Sequence, residues 1–306
     1  MIGLSSRSHL TQNDNLQFQF RRAEPWLYVG PALFITVFLA LSPVVYLTLA
    51  VFKKMELGDP ISKAPYIGMQ NFSDAFYRSE NIVSSMRLSV TYTVFALTIE
   101  LLIGLGIASL IEGMRRSLPF FMSIFLVPMV LMPAMVAMVW RLYFSFDGLV
   151  NWVIGLLSLG PVTWFSMDHA LSAVIITDVW QWTPFFILLF VAGLQNVPRD
   201  IKEAAEVDGA SEIQILYAIK LPMLLPLIII ASTLRVMELV RQFDLAFIMF
   251  GGGPGSATMT MPLAVFSLTV KRANFGAGSV LSLILIGLVI ALSWLFVALM
   301  KRFRTS

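Results

Sequence analysis

Six apolar runs, at about residues 27–52, 88–111, 118–144, 170–194, 222–250 and 280–300, are separated by polar stretches along the chain. A helix needs roughly 20 apolar residues to cross a hydrocarbon core, so each run is a predicted membrane span. The small residues Gly104, Gly106 and Ala108 in the second run suit close helix packing. Residues 1–26 are polar, carry Arg7, Arg21 and Arg22, and read as a mostly disordered tail. They do not read as a signal peptide, because the apolar run starts late, is too long and lacks a small-residue cleavage site. Residues 27–300 form one six-span domain and 301–306 a short second tail. An even number of spans puts both termini on one side. Arg115, Arg116, Arg199, Lys202, Lys301, Arg302 and Arg304 fall on that side, and fewer basic residues fall on the other. The positive-inside rule makes the richer side cytoplasmic.

The stretch 196–222 is a polar island between two spans. Pro198 suits the first turn of a helix. Arg199 to Asp208 contains good helix formers, including Ala204 and Ala205, whose small side chains leave one side low for a partner. Gly209 can end that helix in a left-handed conformation. Ser211 and Gln214 have capping-box spacing, which starts a second helix, and Pro222 marks entry into the fifth span. The expectation is a short helical hairpin outside the bilayer.

Composition agrees with the pattern. Only 13% of the 306 residues are charged, against about 25% in soluble domains. The chain has no cysteine, which excludes disulfides and thiolate metal sites. The net charge of +3 comes from residues flanking the spans and forms no stripe for nucleic acid. His9 and His169 are too few and too far apart for a metal site. No nucleophile–base arrangement is visible. Gly251 to Gly255 lacks the Gly-Lys-Ser/Thr of a phosphate cradle and reads as a turn at the outer surface.

Charged groups at mid-bilayer cost about 2.5–3.5 kcal/mol each on insertion scales and default to a functional reading. Glu100 lies in the second span and Asp178 in the fourth, beside Trp180, Gln181 and Trp182. The fifth span carries Arg235, Glu238, Arg241 and Asp244 at three-residue spacing, with Gln242 alongside. Such spacing makes each a helical neighbour of the next, so the set forms a self-neutralising ladder. Arg235, Arg241 and Asp244 are assigned to that structural ladder, with Glu100 a counter-ion for one of the arginines. Glu238 and Gln242 are assigned to a solute path. Trp182 and its neighbours supply aromatic faces suited to sugars, and Pro184 is expected to break its helix locally. Core packing remains an open alternative for either Trp180 or Trp182.

Glu203-Ala204-Ala205, Asp208-Gly209-Ala210 and Ile219-Lys220-Leu221-Pro222 resemble the EAA loop of ABC importer permeases. Tyr66 to Phe72 resembles that family's Gly-x-x-Asn-Phe/Tyr signature, and Gly148-Leu149-Val150-Asn151 again resembles the family. Trp180 with Pro184-Phe185, and Phe243-Asp244 followed by Gly252-Gly253-Pro254 and Thr258, resemble carbohydrate permeases of the maltose and glycerol-phosphate type. The resemblance implies an all-α, type I (MetI-like) permease whose EAA loop docks a cytoplasmic ATPase through Glu203, Ala204, Ala205, Asp208, Gly209, Leu221 and Pro222. It also implies a second homologous permease, an ATPase dimer that binds the ATP and Mg, and an extracytoplasmic solute-binding protein. The location implied is the cytoplasmic membrane of a bacterium or archaeon. This chain itself is expected to hold no cofactor and to catalyse nothing. By position, Asp178, Trp182, Phe185, Glu238, Leu239 and Gln242 match the residues lining the sugar site. A carboxylate at 238, where the maltose permease has an amide, puts maltose itself in doubt. Two other classes compete. An ion-coupled secondary transporter would use Glu100, Asp178 or Glu238 as proton carriers. A membrane scaffold would gain little from burying charge.

Overall fold

The computed structural model describes residues 8–78, 82–114 and 116–304. Residues 1–7 of the expected tail and Arg115 lie outside the described residues. The described chain is helical and contains no strand, only isolated bridges such as Lys53 with Tyr66.

Helix α1 (Ser8–Ala50) begins well before the first apolar run, so residues 8–26 continue a helix where a disordered tail was expected. Its membrane part, Tyr28–Ala50, carries no buried face and meets the body at its C-terminal end, where Tyr46 packs edge-on against Phe275 at 5.9 Å. The short α2 (Gln70–Ser73) holds Asn71, whose Nδ2 donates to the carbonyls of Val51 and Lys53 at 2.7 and 2.8 Å. Asn71 therefore ties the end of α1 to the entry of the second span.

The core is α3 (Ile82–Ile111) packed along α7 (Ala170–Leu194). Gly104 makes this possible: a Cβ there would lie 2.6 Å from the Phe186 Cβ. Ala108 is also buried at this seam, whereas Gly106 faces open space. α7 runs unbroken through Pro184, contrary to the expected local break. Packing against α3 and α4 keeps the backbone helical despite the missing hydrogen bond.

The third span is the one that breaks. α4 (Leu118–Val130) and α5 (Pro133–Tyr143) meet at 93°. Pro133 disfavours the α conformation in the residue before it, and Leu131 and Met132 are extended, at ψ 140° and 131°. Among the described residues, five helices are long and apolar enough to cross a membrane, or six with this bent pair as one span. α6 (Leu149–Leu156) follows; Asn151 folds the loop behind it by donating to Phe146 and Val162 carbonyls and accepting from the Val162 amide and Trp164 Nε1.

After α8 (Arg199–Val207) and α9 (Glu212–Ile215), a π-helical stretch, Leu216–Lys220, leads directly into α10 (Leu221–Arg241). The hairpin's second arm is thus the leading end of the fifth span, not a separate helix. α10 ends at Gln242, which is extended at ψ 119°, and α11 (Asp244–Phe250) begins with an acidic residue favourable at a helix N-terminus. The fifth run is therefore interrupted at 242–243 as well as at the glycines. Arg141 spans this corner by donating to the Ile248 carbonyl at 3.0 Å. Thr258 closes the glycine loop with a 2.9 Å bond to the Gly253 carbonyl. α12 (Met261–Phe266) starts against α3, where Ser89 accepts from the Met261 amide, and α13 (Phe275–Arg304) is the last span.

Candidate functional site

Two regions collect the polar residues singled out by the sequence: the 196–222 hairpin and a charge cluster inside the helix bundle.

In the hairpin, Pro198 precedes α8 at its N-cap, and Gly209 turns the chain with φ +80° and empty space around its Cα. Ser211 and Gln214 form the expected capping box, with Gln214 Oε1 accepting from the Ser211 amide at 2.7 Å. Glu203, Ala204, Asp208 and Gly209 are exposed, Ala205 is half-buried, and Leu221 and Pro222 fall in the first turn of α10. The hairpin thus presents a low alanine surface to solvent at Ala204, with the exposed Glu203 beside it at the rim of a cavity, while its second arm enters the bundle.

Its inner side is held by charge. Lys220 is buried and its Nζ contacts Glu112 Oε1, with Glu212 Oε2 at 3.9 Å. Lys202 bridges Glu212 at 3.2 Å and Glu206 at 3.6 Å. The hydrogen bond that the Lys202 ammonium donates to Glu212 holds its pKa above the ordinary lysine value. Glu203, Glu206, Arg199, Lys202, Lys220 and Glu112 line one cavity of about 640 Å³. Neither Glu112 nor the role of Lys220 is signalled by hydropathy. A lysine directly before an apolar run, facing a glutamate directly after another, is the only trace of the pair in the sequence.

Inside the bundle, Arg235 of α10 joins α3 and α7. Its Nε and Nη2 donate to the two oxygens of Glu100 at 2.9 and 2.8 Å, and Nη2 also contacts Asp178 Oδ2. Glu100, Asp178 and Arg235 are 0%, 0% and 3% exposed. The guanidinium carbon lies 4.7 Å from the centre of the Trp182 ring. Glu100 is indeed the counter-ion of a span-five arginine. The four-membered ladder, however, does not form. Arg235 turns to α3 and α7, Arg241 pairs with Glu238 at 2.8 Å, and Asp244, beyond the break at Gln242, has no ion pair among the described residues.

Placement also divides the expected path residues. Trp182, Phe185 and Gln242 are half-buried and Glu238 is exposed. Asp178 is fully enclosed by its ion pair, and Leu239 is 2% exposed within the core cluster of Val179, Leu245 and Met249. Both were expected on the path, and in this structure both side chains are buried. Gln181, between the two tryptophans, turns inward and donates to the Leu131 carbonyl at 2.9 Å, filling a bond left open where α4 breaks from α5. An apolar hollow of about 640 Å³ beside Trp140 and Trp180 is lined by Leu131, Val139, Val153 and Ile176. Hydroxyls placed there would find few partners, so it does not suit a polyol.

Residues 101–305 match the family described as binding-protein-dependent transport system inner membrane component. A probable ABC transporter permease, y4oQ, of Sinorhizobium fredii is 37% identical over 76% of each chain. The trehalose/maltose transport system permease MalF of Thermococcus litoralis is 32% identical over 80% of this chain and 82% of its own. Among solved structures, a chain of a bacterial ABC transporter importing the acidic polysaccharide alginate superposes with a TM-score of 0.76, at 18% identity, covering 94% of this chain and 99% of its own. That likeness carries the fold, and the family match carries kinship. With its multispan helical bundle and the hairpin before the fifth span, this chain belongs to the binding-protein-dependent transport system inner membrane component family.

Proposed function

We propose that this chain is a permease subunit of an ATP-driven importer, forming with a second homologous permease the path for a sugar, polyol or related solute. The observation that carries the reading is the hairpin: it is exposed at Ala204 and Gly209, yet its second arm leads directly into α10, which bears Arg235 and Glu238 and ends at Gln242. An ATPase dimer gripping α8 would move α10 as a lever, a rigid-body switch between inward- and outward-facing states. ATP and Mg bind to that ATPase, not here. Both termini and the hairpin are cytoplasmic, and an extracytoplasmic binding protein delivers the solute.

The carbohydrate class is supported by relatives. The Thermococcus litoralis protein is named for trehalose and maltose, and a second solved structure is of a bacterial alginate transporter in complex with a periplasmic protein holding an alginate pentasaccharide. In this chain the solute meets Trp182, Phe185, Glu238 and Gln242. Rings stack on sugar C–H faces, and the carboxylate and amide bond hydroxyls. Glu238 and Arg241, at 51% and 56% exposure, are free to exchange their mutual bond for one to solute.

The test is reconstitution of the complete importer in vesicles with a panel of sugars and polyols. Uptake should require ATP and persist with an uncoupler. Trp182→Ala and Gln242→Ala should each change uptake or solute preference while leaving basal ATP hydrolysis near the parent rate. Uptake that ignores ATP but collapses with the uncoupler would contradict the reading.

A further inference from the structure

The same two elements are clamped twice. Glu112 lies one residue beyond α3, and Lys220 one residue before α10. Their ion pair closes the cytoplasmic end of the α3–α10 contact. Twelve residues back along α3 is Glu100, and fifteen residues onward along α10 is Arg235, and these form the second pair. At the rise of an α-helix these separations are about 18 and 22 Å, so the two clamps sit at matching depths on antiparallel helices. All four side chains are buried or nearly so, Glu112 being the most open at 16%. Lys220 also reaches Glu212 at 3.9 Å and Glu212 holds Lys202, which carries the network into α8. At the other end Arg235 lies against Trp182 and contacts Asp178 on α7.

Resting on the permease reading, we infer that Glu112 and Lys220 are positioning residues that make α3, the hairpin and α10 one rigid body, so that displacement of α8 is delivered to Arg235 and Trp182 instead of being absorbed at the π-helical stretch Leu216–Lys220. That stretch needs such a brace. Pro222 has no amide hydrogen for the helix ladder, and a π turn is a natural place for a helix to flex. With Lys220 pinned to α3 at the last residue of the π stretch, flexing there is blocked. Neither residue touches solute or ATP. Their role acts through the hairpin on one side and through Arg235 on the other.

The experiment measures solute imported per ATP hydrolysed by the reconstituted full complex, for Glu112→Gln, Lys220→Met and the exchanged pair Glu112→Lys with Lys220→Glu. Each single variant should still co-purify with the ATPase and hydrolyse ATP, while import per ATP falls at least about fivefold, the lower end of ordinary coupling factors. The exchanged pair should recover at least half of the parent ratio, since it restores opposite charges at the same two positions. A purely stabilising contact would lower the yield of complex and leave the ratio of what assembles unchanged. An unchanged ratio in both assembled single variants overturns the inference, as does an exchanged pair that assembles but stays uncoupled. If the single variants fail to assemble, the exchanged pair decides alone, and its failure to assemble would make the contact a folding element and overturn the inference too. Failure of the permease reading is separately visible: the parent chain would then show no ATP-dependent uptake at all.

Discussion

At the residue scale, Arg235 is the side chain that joins three helices by charge inside the bundle. It pairs with carboxylates from two other helices, and its face lies over Trp182. Arg235→Met would leave Glu100 and Asp178 buried without a cation. Removing one partner of a buried pair costs about 3–5 kcal/mol. Thermal unfolding of the purified chain in detergent should therefore shift strongly downward, and Arg235→Lys should recover only part, because an ammonium cannot match the planar fork that spans two carboxylates. Parent-like unfolding of Arg235→Met would mean the cluster is not formed. The glycines give a finer comparison. Gly104→Val drives a side chain into Phe186 and should cost about 1–3 kcal/mol. Gly106→Val, two residues away and facing open space, should be close to neutral in the same measurement.

At the element scale, the hairpin was legible because its signals are local. A left-handed glycine, a capping box and flanking prolines act within a few residues, and Gly209, Ser211 and Gln214 all behave as their types dictate. Ser211→Ala removes an exposed cap and should lower helix stability by about 0.5–2 kcal/mol, read as faster amide exchange in residues 211–215 with the rest of the chain unaffected. Helix breaks were less legible. Pro184 and Pro133 both lie within apolar runs, but only Pro133 breaks its helix, because α7 is clasped between α3 and α4 whereas the α4–α5 corner finds a ready donor in Gln181. That donor comes from 50 residues away, so no local pattern announces it. The charge ladder failed for a related reason. Three-residue spacing made Arg235 and Glu238 neighbours, but desolvation inside the bundle favours pairing Arg235 with Glu100 and Asp178, whose burial would otherwise go unmatched. Asn71 and Asn151, noted as family signatures, turn out to be anchors that satisfy backbone groups of their own loops.

At the scale of the whole molecule, the chain is a bundle with an arm. α3, α7 and α10 are tied by buried charge, while α1 and the α8–α9 hairpin reach away from the centre. The exposed apolar side of α1, with Phe34, Phe38 and Leu41, faces lipid or a partner subunit, as expected of a component that works in an assembly. Glu238 and Gln242, proposed to meet the solute, lie at the end of α10 farthest from the hairpin, next to the break before α11. In the proposed reading, force on α8 passes through the hairpin turn to the leading end of α10, and solute is met near the far end of α10 at 238–242, so binding of a motor at the hairpin is the central requirement. The most direct measurement is co-purification: a tagged chain gently extracted from its native membrane, compared with Gly209→Val, in which a β-branched residue must adopt φ +80°. The account predicts an ATPase and a second multispan permease bound to the parent, with the ATPase lost from a variant that still inserts. A parent chain recovered alone, or a variant that keeps its ATPase in full, would contradict it.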